Sequence, residues 1–119
     1  MRLETNARDK IVQFAASIYQ RGLTFEASGN ISVRIEDGWL MTPKGSTMGN
    51  LDPAGLLKLD DDGNHISGDE PTREHFLHMA MYHERPNSGA IVHLHSTYSV
   101  AVSCCGDVDP TSVLPPITA

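Results

Sequence analysis

An α/β or α+β domain is the fold class that the sequence predicts, on three observations. Segments with apolar residues at helical spacing are interspersed with short β-type runs. An apolar content of 39% with a single Trp fits a folded soluble domain and is too high for a disordered chain. A chain of 119 residues suffices for one core that buries roughly two-thirds of the unfolded surface. No internal repeat or domain linker interrupts it, so a single domain over residues 1–119 is expected.

The elements follow in chain order. Ile11, Phe14, Ala15, Ile18 and Tyr19 recur at helical spacing, and Gly22 stands where a C-terminal cap would, so residues 5–21 are expected to form an amphipathic helix. NISVRI and WLMT are β-type runs, joined by Asp37-Gly38 as the two-residue hairpin turn. Asp52 and Pro53 are N-cap and first helical residue of about one turn of helix, which leads into a strand at Leu57–Leu59 and a turn at DDGN. A second helix is expected from Pro71 and Thr72 to about His83, stopped by Pro86, with Phe76, Leu77, Ala80 and Met81 as its apolar stripe. AIVHLHS reads as a buried strand and TYSVAVSC as the helix after it. The tail DVDPTSVLPPITA has turn chemistry followed by an apolar run.

Charge and cysteine usage exclude several function classes. Nine Lys+Arg stand against 15 Asp+Glu, a net charge of −6, and no basic cluster suggests a nucleic-acid or membrane footprint. Met1–Lys10 carries both signs of charge without an apolar stretch, so no secretory leader is expected there. Cys104 and Cys105 are adjacent, a poor arrangement for a structural disulfide and no zinc motif, which points to a reducing cytoplasm.

His93-Leu94-His95 is the sharpest chemical signal. In a strand, alternate residues share a face about 6–7 Å apart, so both imidazoles can grip one Zn²⁺, with Val92 and Leu94 anchoring the opposite face. Two histidines merely hydrogen-bonded at a strand end would look the same. Glu74, in the first turn of the second helix, is either a carboxylate favoured by the helix dipole or a metal ligand and general base. His78 shares its helical face at i, i+4 and could join a metal site, although a packed or bridging histidine fits its place beside the apolar stripe better. His65, His75 and His83 read as surface residues. Three further places suit an anion: the Ser28-Gly29-Asn30 turn, Thr42-Pro43-Lys44-Gly45 with its point charge, and the helix start at Pro71-Thr72-Arg73 with its guanidinium. Each is also an ordinary turn.

In this order, SGNISVR, MTPKGS, DDDGNHISGDEPTRE, HMAMYHERP and AIVHLHSTYSVAVSC resemble the class II aldolase/adducin family, from about residue 5 to the end of the chain. The resemblance implies a three-layer α/β/α domain around a mixed, largely antiparallel sheet, commonly assembled as a homotetramer with sites at subunit boundaries. It implies that His93 and His95 bind a divalent metal, usually zinc. Glu74 would ligate that metal at rest and transfer a proton once substrate binds. Gly29, Asn30, Lys44, Gly45, Thr72 and Arg73 would hold the substrate phosphate. Thr72-Arg73 replaces the Ser-Ser pair of the sugar-phosphate aldolases, so the pocket is not identical to theirs. The family's third histidine ligand lies well downstream of the six histidines present, so residues 1–119 correspond to the N-terminal half or two-thirds of a member. Thr72-Arg73-Glu74, HLHSTYSVAVSC and DVDPTSVLPPIT are most similar to the 3-oxo-tetronate 4-phosphate decarboxylase branch. The activity implied is a metal-dependent lyase that decarboxylates that sugar acid to dihydroxyacetone phosphate through a metal-stabilised enediolate. Aldol cleavage or epimerisation of a fuculose- or ribulose-type phosphate, or a non-catalytic adducin-like module, are the alternatives.

Overall fold

A computed structural model describes residues 2–114. Three helices, α1 (Arg2–Gln20), α2 (His75–Glu84) and α3 (Thr97–Ser103), accompany five strands, β1 (Asn30–Ile35), β2 (Gly38–Met41), β3 (Leu57–Leu59), β4 (His65–Ser67) and β5 (Ala90–His93). The strands form one sheet in the order β4-β3-β2-β1-β5. Every pairing in it is antiparallel, so the mixed character expected of the sheet is not seen among the described residues. β5 forms an edge, with Ala90 and Val92 exposed, where a buried strand was expected. Of the apolar run at the end of the tail, Val113 and Leu114 are exposed and the remainder lies outside the described residues; before it, Asp109 accepts from the backbone and hydroxyl of Thr111 and makes the expected turn.

Successive side chains of a strand point to opposite faces, and this divides the core in two. Ile31, Leu40 and Leu56 join Ile11 and Ala15 of α1 on one face. Trp39, Met41, Leu57, Leu59 and Ile91 join Tyr82 of α2 on the other. The result is a helix on each side of the sheet, the three-layer arrangement implied by the resemblance. Phe14, expected in the α1 core, is 61% exposed; Ala7, Ile11, Ala15 and Ile18 form the seam instead. Leu23 N–H reaches Ile18 O at 3.2 Å and Gly22 N–H reaches Tyr19 O at 3.0 Å, the paired bonds that close a helix on a left-handed Gly22.

The β1–β2 hairpin turns on Glu36-Asp37, one residue earlier than expected, because Ile35 pairs with Gly38. Neither turn residue has the positive φ that a type I′ turn requires. Gly38 has φ +139° inside the strand, where a Cβ would lie 2.0 Å from Leu59 O. The glycine therefore serves the close approach of β3 rather than the turn. The one-turn helix is a 3₁₀ turn at Pro53–Gly55, capped by Asp52 Oδ1 accepting from Ala54 N–H at 2.9 Å.

α2 departs furthest from expectation. It begins at His75, after a turn closed by His75 N–H donating to Thr72 O, so Glu74 is its N-cap rather than a residue of its first turn. It also packs through His78 and Tyr82, leaving Phe76, Leu77 and Met81 exposed. The cause lies in β1, which presents Asn30, Ser32 and Arg34 to this side. A buried polar strand face needs hydrogen-bonding partners, and only the polar face of α2 has them. Among the described residues no helix is long and apolar enough to cross a membrane.

Gly38→Ala should destabilise the domain by about 2–4 kcal/mol, since backbone must move to admit the methyl group. Gly22→Ala, which meets nothing within 4 Å, should cost about 1 kcal/mol from its positive φ alone. Urea unfolding midpoints at unchanged slope measure both; equal shifts would contradict the role given to Gly38.

Candidate metal centre

The last residue of β5, the extended segment after it and the N-cap of α2 converge on the same point. His93 closes β5 opposite Asn30 of β1. His95 lies past the strand's end, so the shared strand face expected for the two histidines holds only as far as His93. The rings still lie near one another, with centroids 4.9 Å apart and planes tilted by 53°. Leu94 packs into the α1-side core as expected, whereas Val92 is 53% exposed. Glu74 faces both imidazoles, with Oε2 3.4 Å from His93 Nδ1 and Oε1 3.9 Å from His95 Nε2. One donor atom from each of the three lies within 4.8 Å of the others.

The chemistry of this donor set fits a divalent metal. Ligands at about 2.0–2.1 Å from a tetrahedral ion stand ~3.3 Å apart, close to the Glu74–His93 separation and reached at His95 by a small side-chain movement. Two imidazoles and a carboxylate suit zinc, or another transition metal, better than the all-oxygen sets of calcium or magnesium.

Glu74 and His95 stand at one end of a cleft of about 400 Å³. Gly29, Asn30, Lys44, Gly45, Thr72 and Arg73 line the rest of it, so the three anion-friendly turns, far apart in sequence, share one cavity. Lys44 pairs with Glu70 at 3.2 Å, and its N–H donates to Glu70 O at 2.9 Å, tying the Pro43–Gly45 turn to the segment before α2. Thr42 fixes the other end of that turn, its N–H donating to Ile31 O and its hydroxyl accepting from Ile31 N–H. Arg73 is exposed and makes no ion pair among the described residues.

Beneath the cleft lies a group that sequence reasoning assigned differently or missed. Asn30 Nδ2 donates to Glu74 Oε2, and His78 Nε2 meets Asn30 Oδ1 at 2.5 Å. His78 Nδ1 lies 2.6 Å from Ser32 Oγ, which is 2.8 Å from Tyr82 Oη. His78 is therefore the bridging residue its position suggested, and not part of the Glu74–His93–His95 cluster. Ser32 and Tyr82 carried no sequence signal alone. The pattern that could have found them is joint: Glu74, His78 and Tyr82 on one helical face, set against Asn30 and Ser32 on one strand face.

Burial, reinforced by the nearby His93, pushes the His78 imidazole from 6.5 down to about 4, against an opposing pull from Glu74. Burial also lifts the Tyr82 phenol above its ordinary value, against the Ser32 hydrogen bond and Arg34. Both groups are thus neutral near pH 7.

Three comparisons with known proteins find relatives of this chain in sequence and in fold. The family model described as Class II Aldolase and Adducin N-terminal domain matches residues 9–119. A 3-oxo-tetronate 4-phosphate decarboxylase of Cupriavidus necator is 44% identical over 118 residues, covering 99% of this chain and 54% of that protein. An L-fuculose phosphate aldolase of Escherichia coli is 36% identical over 94 residues, covering 79% of this chain and 44% of that one. The crystal structure of YgbL from Escherichia coli superposes with a TM-score of 0.92 at 41% identity, covering 98% of this chain and 56% of that one. The chain spans about half the length of the curated relatives it matches.

The depressed value at His78 has a consequence for stability. The folded protein keeps the ring neutral while the unfolded chain protonates it, so this contribution is complete above about pH 6.5 and is lost as pH falls through about 4. In metal-free protein the loss across that window should be on the order of 3 kcal/mol, and His78→Gln, which cannot titrate, should lose less. Urea titrations across the window measure it; parallel losses would contradict a buried neutral His78.

Proposed function

The chain belongs to the class II aldolase and adducin family, and on that footing we propose that it carries the metal-binding and phosphate-binding part of a carbon–carbon lyase acting on a small phosphorylated sugar acid. One observation carries this reading: Glu74, His93 and His95 converge on one point, and Glu74 and His95 line a cleft whose remaining walls are the three anion-friendly turns. The proposed substrate is 3-oxo-tetronate 4-phosphate, because the relatives that bear that name match nearly the whole chain at the higher identity. Cleavage of a fuculose-type phosphate is the second reading, supported by the aldolase relative.

In this reading His93 and His95, with Glu74, hold a divalent metal, for which zinc is the proposal. When bound, such an ion supplies Lewis acidity toward negative charge developing on the substrate's oxygens. Lys44 and Arg73 supply positive charge to the phosphate. Gly29, Asn30, Gly45 and Thr72 shape the walls around it. The substrate's carboxylate is β to its ketone, so loss of CO₂ leaves an electron pair on the carbon between them. That carbon must then take up a proton, which in this reading Glu74 draws from solvent and passes on. Glu74 Oε2 is engaged by Asn30 and faces His93 at 3.4 Å, whereas Oε1 faces His95 at 3.9 Å and takes no hydrogen bond from Asn30.

Residues 1–119 are proposed as the N-terminal part of the family's α/β/α domain. The exposed Phe76, Leu77 and Met81 of α2 support burial in an assembly, with a homotetramer as the proposal. The free, exposed thiols of Cys104 and Cys105 are in keeping with a cytoplasmic setting.

The test offers the intact protein 3-oxo-tetronate 4-phosphate and, separately, fuculose and ribulose phosphates. Release of CO₂ from the first is expected. Glu74→Gln should lower turnover by ~10²–10⁴-fold. Lys44→Ala and Arg73→Ala should raise KM more than they lower kcat. Cleavage of the sugar phosphates with no CO₂ from the first would establish the aldolase reading instead.

A further inference from the structure

Tyr82, Ser32, His78, Asn30 and Glu74 form a continuous line of hydrogen bonds from the α2-side core to the cleft. Ser32 and His78 are fully buried, Asn30 and Tyr82 nearly so. Among the described residues no buried side-chain polar atom lacks a partner.

The direction of every bond in this line follows from its last member. An ionised carboxylate only accepts, so Asn30 must turn its NH₂ toward Glu74 and its carbonyl toward His78. That carbonyl accepts, so His78 carries its proton on Nε2. Nδ1 then accepts from the Ser32 hydroxyl, whose one proton is thereby used. The remaining bond must be donated by the Tyr82 hydroxyl. Turning the Asn30 amide over would set its oxygen against the carboxylate and its NH₂ against an N–H, losing one buried and one part-buried bond at once. Arg34 steadies the far end, its guanidinium 4.5 Å over the Tyr82 ring and its NH₂ donating to Tyr82 O.

We infer that this line is an orientation lock on Asn30, and that Ser32, His78 and Tyr82 are positioning residues that hold Glu74 Oε2 and leave Oε1 for the substrate. The inference rests on the lyase reading, in which Glu74 is the reacting carboxylate. A purely structural polar cluster would need no single direction. Here the direction is imposed at the carboxylate and runs back through Asn30 to His78, Ser32 and Tyr82, the last three of which do not line the cleft.

Two measurements test it. In intact protein labelled with ¹⁵N-histidine, long-range ¹H–¹⁵N spectra near pH 7 should show His78 as the Nε2–H tautomer; the Nδ1–H tautomer would overturn the lock. Kinetically, His78→Leu should lower kcat ~10- to 100-fold with a smaller change in KM, because a carboxylate left unaligned loses its geometry rather than its substrate. His78→Gln, which can keep a donor near the Nε2 position, should recover most of that loss. In an Asn30→Ala background, His78→Leu should cost little more, since its partner is already gone. Full additivity of the two substitutions, or failure of Gln to rescue in folded protein, would overturn the inference. If the unsubstituted protein turned over none of the substrates, the lyase reading alone would fall, and the tautomer would still decide the lock.

Discussion

The carboxamide of Asn30 is the joint on which the site depends. It opens β1, pairs across to His93 of β5, and is held between the Glu74 carboxylate and the His78 ring. Through it, three elements meet: β1, the edge strand β5 that ends at His93, and the helix whose N-cap is Glu74. Residues 85–89 join α2 to β5, but Glu74 caps the end of the helix remote from that connection, so the backbone link alone does not set the glutamate against the histidines. The site is therefore an outcome of sheet register and of one buried amide.

The same demand explains the orientation of α2. β1 alternates Ile31, Val33 and Ile35 with Asn30, Ser32 and Arg34, which would ordinarily place the polar set in water. In this fold both faces are covered, so Asn30 and Ser32 are buried, Arg34 is half-buried, and the set must be satisfied by its neighbour. α2 answers with His78 and Tyr82, while its apolar side faces outward. Stability and site organisation thus draw on one polar seam, and a substitution that damages the seam should be felt in both.

Much of this was legible in the residues. The α1 seam, the three short strands through Leu59, and the 3₁₀ turn with its Asp52 cap follow from spacing and capping chemistry. The His93/Glu74 convergence was suggested by residue type, and the three glycine- and cation-bearing turns by their affinity for anions. What was not legible came from tertiary demands. Gly38 looked like a turn residue because Asp-Gly favours hairpins, yet its positive φ and missing Cβ serve contact with Leu59. The α2 stripe looked like core because amphipathicity usually shows which side is buried; here the sheet's polar face overruled it. His95 looked like a strand residue, yet the pairing with β1 ends at His93. In each case a tertiary partner decided what the local pattern alone could not.

The central claim is that the Glu74, His93 and His95 side chains meet at one metal ion. Anomalous scattering recorded at the zinc absorption edge, from crystals of the intact protein grown with Zn²⁺, tests it most directly. The expected result is one strong peak at about 2.0–2.2 Å from a Glu74 carboxylate oxygen and from one ring nitrogen each of His93 and His95. A map with no peak between these three residues, or with the ion held elsewhere while they retain only their mutual contacts, would contradict it.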